Sequence, residues 1–145
     1  FTIDPAFDSH EFIYRTDTNR YRFDYYNEFI NSPAILISDK LSELIYTSDS
    51  FQPVSLDRPE NAPYRLSGRI IQLYGDVQNP GIPRAVIKIR ISLEQKHGRQ
   101  FKHVMDKTYK SAQVIFSEMP DHLIQGWQTG LSQIATEFIY EFKQI

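Results

Sequence analysis

No cysteine occurs among the 145 residues, which removes structural disulfides, thiolate metal sites and cysteine nucleophiles together and leaves the compartment open. Nor does any run approach the roughly 18 consecutive apolar residues that a membrane-spanning helix needs. Glycine is scarce too: with six, none clustered, there is little room for a backbone-lined phosphate cradle, and the GxGxxG, GxxxxGK(S/T) and GxSxG patterns are missing. The chain opens on Phe1 without an initiator Met, a basic n-region or an apolar h-region, so a processed or trimmed chain is expected, with any signal peptide or lipid-bearing cysteine upstream of Phe1. Charge bias is absent as well: 16 basic and 18 acidic residues leave a formal charge of -2, which gives no electrostatic case for nucleic acid or an anionic membrane surface.

What is present is apolar and aromatic. Hydrophobic residues make up 41% of the chain, enough for a sizeable core in one compact domain, and residues 1–145 are expected to form a single domain. Ten Phe, nine Tyr and one Trp give 14% aromatics. Tyr joins an apolar ring to a polar tip, so the excess suits either strand faces, which β propensity favours, or half-buried interface positions.

From Phe1 to Phe23 the pattern predicts short extended pieces, broken by Pro5, Asp8-Ser9 and Thr16-Asp17-Thr18-Asn19. Glu11 to Arg15 and Arg20 to Phe23 flank the last cluster, as in a hairpin or two consecutive strands. Ser32-Pro33 then offers an N-cap followed by a first-turn proline. A helix is expected from Pro33 to near Ser48, with Ala34, Ile37, Leu41, Leu44 and Ile45 forming one apolar stripe. Phe51 to Ser55 resembles a short strand, and the prolines between Leu56 and Pro63 imply a surface loop.

Tyr64 to Val77 alternates but shifts phase at Ile70-Ile71, which predicts a bulge or a strand buried on both faces. Ala85, Ile87, Ile89, Ile91 and Leu93 alternate with Val86, Lys88, Arg90, Ser92 and Glu94, a strand with one wet face. His97-Gly98-Arg99 is a tight turn into a long strand from Phe101 to Val114, with Val104, Asp106, Thr108 and Lys110 on one face and Met105, Lys107 and Tyr109 on the other. After Met119-Pro120-Asp121 comes the strongest helical pattern, Leu123, Ile124, Trp127, Leu131, Ile134, Ala135, Phe138, Ile139 and Phe142. The fold expected is mixed α/β: a largely antiparallel mixed sheet with two amphipathic helices, about 33–48 and 119–143, covering its apolar side or flanking it, in a layered architecture like that of anticodon-binding domains.

Chemistry-bearing patterns are weak. His10, His97, His103 and His122 show no metal-ligand spacing and are expected to be lone surface histidines. Asp24 with Glu28 fits a helical first turn or a solvated face, and Asp57 with Glu60 lacks any sign of a cleft. Arg84, Lys88, Arg90, Lys96 and Arg99 with Phe101 and Tyr109 give the central hairpin a basic, aromatic colour, but Glu94 and Asp106 dilute it, so a solvated strand face is expected rather than RNA binding. No catalytic role, cofactor or metal is expected.

Several segments resemble a known family in order. Phe12-Ile13-Tyr14-Arg15, then Tyr21-Arg22-Phe23-Asp24-Tyr25-Tyr26-Asn27-Glu28-Phe29, Ser32-Pro33-Ala34 before a helix, Ser50-Phe51-Gln52-Pro53-Val54, and Tyr64-Arg65-Leu66-Ser67-Gly68-Arg69-Ile70 are similar to the strands and helix start of the ABC-type transport auxiliary lipoproteins, whose best-known branch is paraquat-inducible protein C. Two departures stand out: Phe29 replaces the usual Trp, and the lipid-bearing cysteine lies outside the 145 residues. The resemblance implies a non-enzymatic periplasmic protein of the Gram-negative cell envelope, anchored to a membrane by lipid, working beside an MCE-type lipid-binding subunit and an ABC permease and ATPase to move lipids or apolar solutes, with a homo-oligomer also open. Tyr25, Tyr26 and Phe29 are the candidate interaction residues, their rings packing on a partner or on the protein's own core. The alternative reading is a stand-alone carrier of an apolar ligand held between sheet and helices.

Overall fold

In the computed structural model, residues 2–8, 11–28, 33–47 and 63–144 are described. Their elements are β1 (Thr2–Ile3), a 3-10 turn (Pro5–Phe7), β2 (Glu11–Asp17), β3 (Arg20–Glu28), α1 (Pro33–Tyr46), β4 (Tyr64–Asp76), β5 (Arg84–His97), β6 (Gln100–Val114) and α2 (Pro120–Phe142). One six-stranded sheet has the order β3-β2-β4-β5-β6, with β1 added beside β4. The pairs are antiparallel except β1 with β4 and β2 with β4, which are parallel. The result is a mostly antiparallel open sheet with two helices packed on it, the mixed α/β architecture expected.

Local chemistry explains most boundaries. Gly98 adopts φ 63°, the left-handed conformation that a two-residue hairpin turn requires at its first position, and joins β5 to β6 through the closing pair His97 and Gln100. β4 carries its register shift between Ile70 and Gln72, so Ile71 is the extra residue and the apolar phase changes there, as the pattern predicts. α1 and α2 both begin at a proline, whose missing N–H would be unpaired in a first turn anyway. The extended piece expected at Phe7 is instead the 3-10 turn: Asp4 Oδ1 accepts from the Ala6 amide at 3.0 Å and Pro5 follows as the first residue, the usual start of a helical turn. The strand Phe51 to Ser55, most of the loop from Leu56, His10 and the Asp57 and Glu60 pair lie outside the described residues.

The core lies between the helices and one face of the sheet. Ile87, Ile89, Ile91 and Leu93 of β5 are 0–1% exposed, and Leu123, Leu131, Ile134 and Phe138 of α2 are 0–2%. From α1, Ile37, Leu41 and Ile45 are buried and Leu44 half-buried, the predicted stripe. Burying each large side chain contributes about 1.5–3 kcal/mol, so these rows hold both helices down. Trp127 stacks on Phe12 with ring centroids 6.0 Å apart, and its indole N–H donates to the Val86 carbonyl at 3.1 Å.

Two placements differ from the sequence pattern. A second register shift, between Leu93 and Glu94, makes Val104 the extra residue of β6, and Val104 packs with the core cluster instead of sharing the face of Asp106. Asp24 and Glu28 lie in β3, which continues the hairpin past Phe23, rather than in a helical first turn.

Candidate functional site

The backbone of Tyr25 and Tyr26 lies in β3, which pairs with β2 at the end of the sheet order, so the two candidates stand on an edge strand. Phe29 lies outside the described residues. Beside them, the face of the sheet away from the helices carries an aromatic cluster. Phe7 stacks on Tyr74 at 5.9 Å, and Tyr21 meets both rings edge-on at 5.9 and 5.7 Å. Arg15 caps this cluster 5.1 Å above the Tyr74 ring and donates to Asp76 Oδ2 at 2.6 Å. Tyr21 and Phe23 remain 42% and 37% exposed, so this end of the second face is apolar but only partly covered.

Several charges elsewhere on that face are spent on one another. Arg90 grips Asp106 through two hydrogen bonds of 2.9 and 2.6 Å, and the Ser92 hydroxyl lies 3.2 Å from the same carboxylate. The Arg90 hydrogen bonds hold Asp106 down at a pKa of about 2. Arg65 donates to Glu94 at 2.6 Å and lies 4.4 Å over the Phe101 ring, while exposed His103 stands 3.6 Å from Glu94. The hydrogen bond from Arg65 keeps Glu94 below its ordinary value. Burial pushes Asp76 up, but hydrogen bonds from Arg15 and the Gln78 amide outweigh it and hold the carboxyl low. These carboxylates are fixed as anions in ion pairs, whereas acid–base work needs values tuned toward neutrality.

On the helix side, further polar contacts hold α2 and the connection before it to the sheet. Tyr14, 2% exposed, donates to the Glu118 carbonyl at 2.7 Å, with Arg22 4.9 Å over its ring, and burial pushes its hydroxyl up to about 12. Toward the other end of α2, the Tyr109 hydroxyl donates to Glu141 at 2.9 Å and Lys107 pairs with the same carboxylate. Lys107 holds Glu141 below its ordinary value.

His122 departs from the expectation of a lone surface histidine: it is half-buried and its Nδ1 shares a hydrogen bond of 2.6 Å with Ser117, whose hydroxyl also accepts from the Met119 amide at 3.2 Å. A nucleophile and base would need a third group to orient the ring. No carboxylate pairs with His122 among the described residues, and the contact staples the connection between β6 and α2. Among the described residues no three His, Asp or Glu side chains gather as metal ligands would.

Sequence reasoning missed Gly126 and Gly130, which α2 buries against the sheet. A Cβ on Gly126 would lie 2.5 Å from Ala85 Cβ, and one on Gly130 would lie 2.6 Å from Ser111 Oγ. Their spacing of four places them on the face that carries Leu123, Trp127 and Leu131, a signal that the sequence did hold. Between α1 and α2, on the outside of this packing, a groove of about 470 Å³ is floored by Ile37, Ile124, Trp127 and Leu131 and rimmed by Asp39, Lys40 and Glu43.

No family model matches the chain, and no curated protein matches it. Solved structures do. A Xanthomonas campestris protein of the DUF330 family superposes with a TM-score of 0.77 at 15% identity, covering 95% of this chain and 77% of that one. An uncharacterized protein gives 0.74 at 13%, covering 97% and 86%. A hypothetical protein from Chlamydia trachomatis gives 0.53 at 12%, covering 97% and 90%. At such identities the likeness is one of fold, and the fold that this chain shares is the one seen in a DUF330 protein.

Proposed function

We propose that this chain is a non-enzymatic auxiliary component of an ABC-type, MCE-linked system that moves lipids or apolar solutes across the periplasm, and that it acts through protein contacts. The sequence resemblance to the auxiliary lipoproteins supports this reading, and the fold shared with a DUF330 protein is compatible with it. The observation that carries the choice of contact over carriage is the seating of α2: Gly126 and Gly130 bring the helix so close to Ala85 and Ser111 that a single methyl would collide. The layer where a carrier would hold its ligand is filled by buried side chains, among them Leu93, Leu123, Leu131 and Phe138 at 0–2% exposure. A carrier needs a cavity of about 300–1,000 Å³ there. The groove between the two helices lies outside that layer.

The test is made in the cell of origin. With a photo-crosslinking residue in place of Tyr25 or Tyr26, the protein is expected to capture the MCE-type subunit or the permease. Tyr25→Ser with Tyr26→Ser is expected to lower its recovery with that complex while leaving the circular dichroism unchanged. Recovery of the protein from the cytosol, or capture of neither component from either position, would overturn the reading.

A further inference from the structure

The basic colour of the central hairpin is diluted in the sequence by Glu94 and Asp106, and the fold shows where those two carboxylates go. Asp106 holds Arg90 and Glu94 holds Arg65, while Asp4 holds Arg69 and Asp76 holds Arg15. Two cations on the sheet face away from the helices stand outside this pairing. Lys88 of β5 and Lys110 of β6 are direct cross-strand partners. Among the described residues neither makes an ion pair.

The register sets no acid beside them. Across β4 the partner of Lys88 is the uncharged Gln72. Val86 and Arg90 flank Lys88 on its own strand, and Thr108 and Ala112 flank Lys110. Side chains two apart on a strand share a face, so these groups surround the pair. Like charges directly opposite one another destabilise a sheet. Lysines on edge strands guard against unwanted strand pairing, which accounts for Lys110 on β6, the last strand of the sheet order. It does not account for Lys88, which is half-buried on an inner strand. Proteins break such local rules chiefly at functional sites.

Arg90 pairs with Thr108 as Lys88 pairs with Lys110, so four side chains form a square on one face. Each has a donor to spare. Asp106 takes only Nε and Nη2 of Arg90, leaving Nη1, and the exposed Thr108 makes no side-chain hydrogen bond among the described residues. Neighbouring strands lie about 4.8 Å apart and alternate residues about 6.6 Å, so one anion over the square is within reach of all four. With Arg90 balanced by Asp106, the positive excess of the square is that of the two lysines.

We infer that Lys88 and Lys110 bind a phosphomonoester-type dianion, with Thr108 and Arg90 as further donors. At neutral pH such a group carries a charge of about -1.5 to -2 and three strong acceptor oxygens, which match two ammoniums and the donors beside them. A carboxylate or a phosphodiester brings a single charge to the same place. A nucleic acid needs a longer track of clustered positive charge, and the next cations along this face are held by their own acids. The inference stands on this face alone and goes beyond the transport reading.

Amide NMR on the full chain tests it, with glycerol 3-phosphate titrated against sodium chloride at equal ionic strength. Shift changes are expected around Lys88 and Lys110. The affinity should fall at least about tenfold in Lys88→Gln and in Lys110→Gln, since each removes a charge-assisted hydrogen bond. Lys102→Gln, which changes an exposed lysine of the same strand with no ion pair among the described residues, should leave it unchanged. Circular dichroism should show all three variants folded, because removing one of two facing like charges relieves a repulsion. Vesicles of phosphatidylcholine with phosphatidic acid separate the sources of the group. Retention on them that both Lys88→Gln and Lys110→Gln lose assigns a lipid headgroup, and binding of glycerol 3-phosphate without retention assigns a free phosphate ester. Binding of neither, a response that these two variants leave intact, or an equal response to the phosphodiester dimethyl phosphate overturns the inference.

Discussion

Gly126 offers two opposed physical effects whose magnitudes differ enough to decide the outcome. Ala is preferred over Gly in a helix interior by about 0.8–1 kcal/mol, so Gly126→Ala should stabilise α2 taken alone. In the protein the new methyl would lie 2.5 Å from Ala85 Cβ and 2.6 Å from Ile115 Cγ2, neither of which is the end of a long flexible side chain. Forcing an extra methyl into a packed interface costs about 1–3 kcal/mol, so the variant should be less stable by up to about 2 kcal/mol, read as a lower urea midpoint at unchanged slope. Gly81→Ala is the control, since its Cβ would meet only Asn79 Oδ1, at 3.5 Å. A stabilised Gly126→Ala would show that α2 rides higher on the sheet than described, and would reopen the interior to a ligand.

Elements are joined by pairings that cross between them, and the one at the C-terminal end of α2 has a predictable pH dependence. Lys107 and Tyr109 of β6 both bond to Glu141, whose pKa is lowered from 4.5 by the Lys107 hydrogen bond. A carboxylate with a depressed folded value contributes stability that is present above its unfolded value, and that stability is lost as pH falls through the folded one. Thermal midpoints of the wild type should therefore begin to fall below about pH 4.5. Glu141→Gln should lower the midpoint at neutral pH and flatten part of that acid slope. A wild-type slope that the variant leaves unchanged would assign the acid loss to other carboxylates, Asp106 and Asp76 first. Elements themselves were largely legible in the sequence, because each announces itself in a window of ten or so residues: the period of two in β5, the phase change at Ile70-Ile71, the stripes of α1 and α2. The second bulge was not legible, since Val104 suits either face and only its pairing with β5 shows which it takes. The candidate surface was harder still. Tyr25 and Tyr26 stand out in the sequence as an aromatic segment ahead of a helix start, whereas the cluster of Phe7, Tyr21 and Tyr74 depends on β4 lying beside β2.

At the scale of the whole molecule, the question is whether a solid interior can also be a container. A ligand that binds the folded state and not the unfolded one stabilises it by about 2.7 kcal/mol at a concentration one hundred times its dissociation constant. For a domain of this size that corresponds to a rise in melting temperature of about 5–11 °C, well within the reach of calorimetry. The sheet and helices enclose side chains such as Leu41, Ile70, Ile89 and Phe138 at 0% exposure, and the close seating of Gly126 and Gly130 admits no layer between them. Entry of an acyl chain would mean parting α2 from the sheet and giving up several such burials at about 1.5–3 kcal/mol each, more than the ligand returns. Oleate or a lysophospholipid, kept below the concentration at which it forms micelles, is therefore expected to leave the melting temperature unchanged. A rise that saturates with concentration would instead make the protein a carrier. Leu36→Asp, placed on the lip of the groove between α1 and α2, would then locate the ligand: abolition of the rise would put it in that groove, and persistence would put it beneath α2.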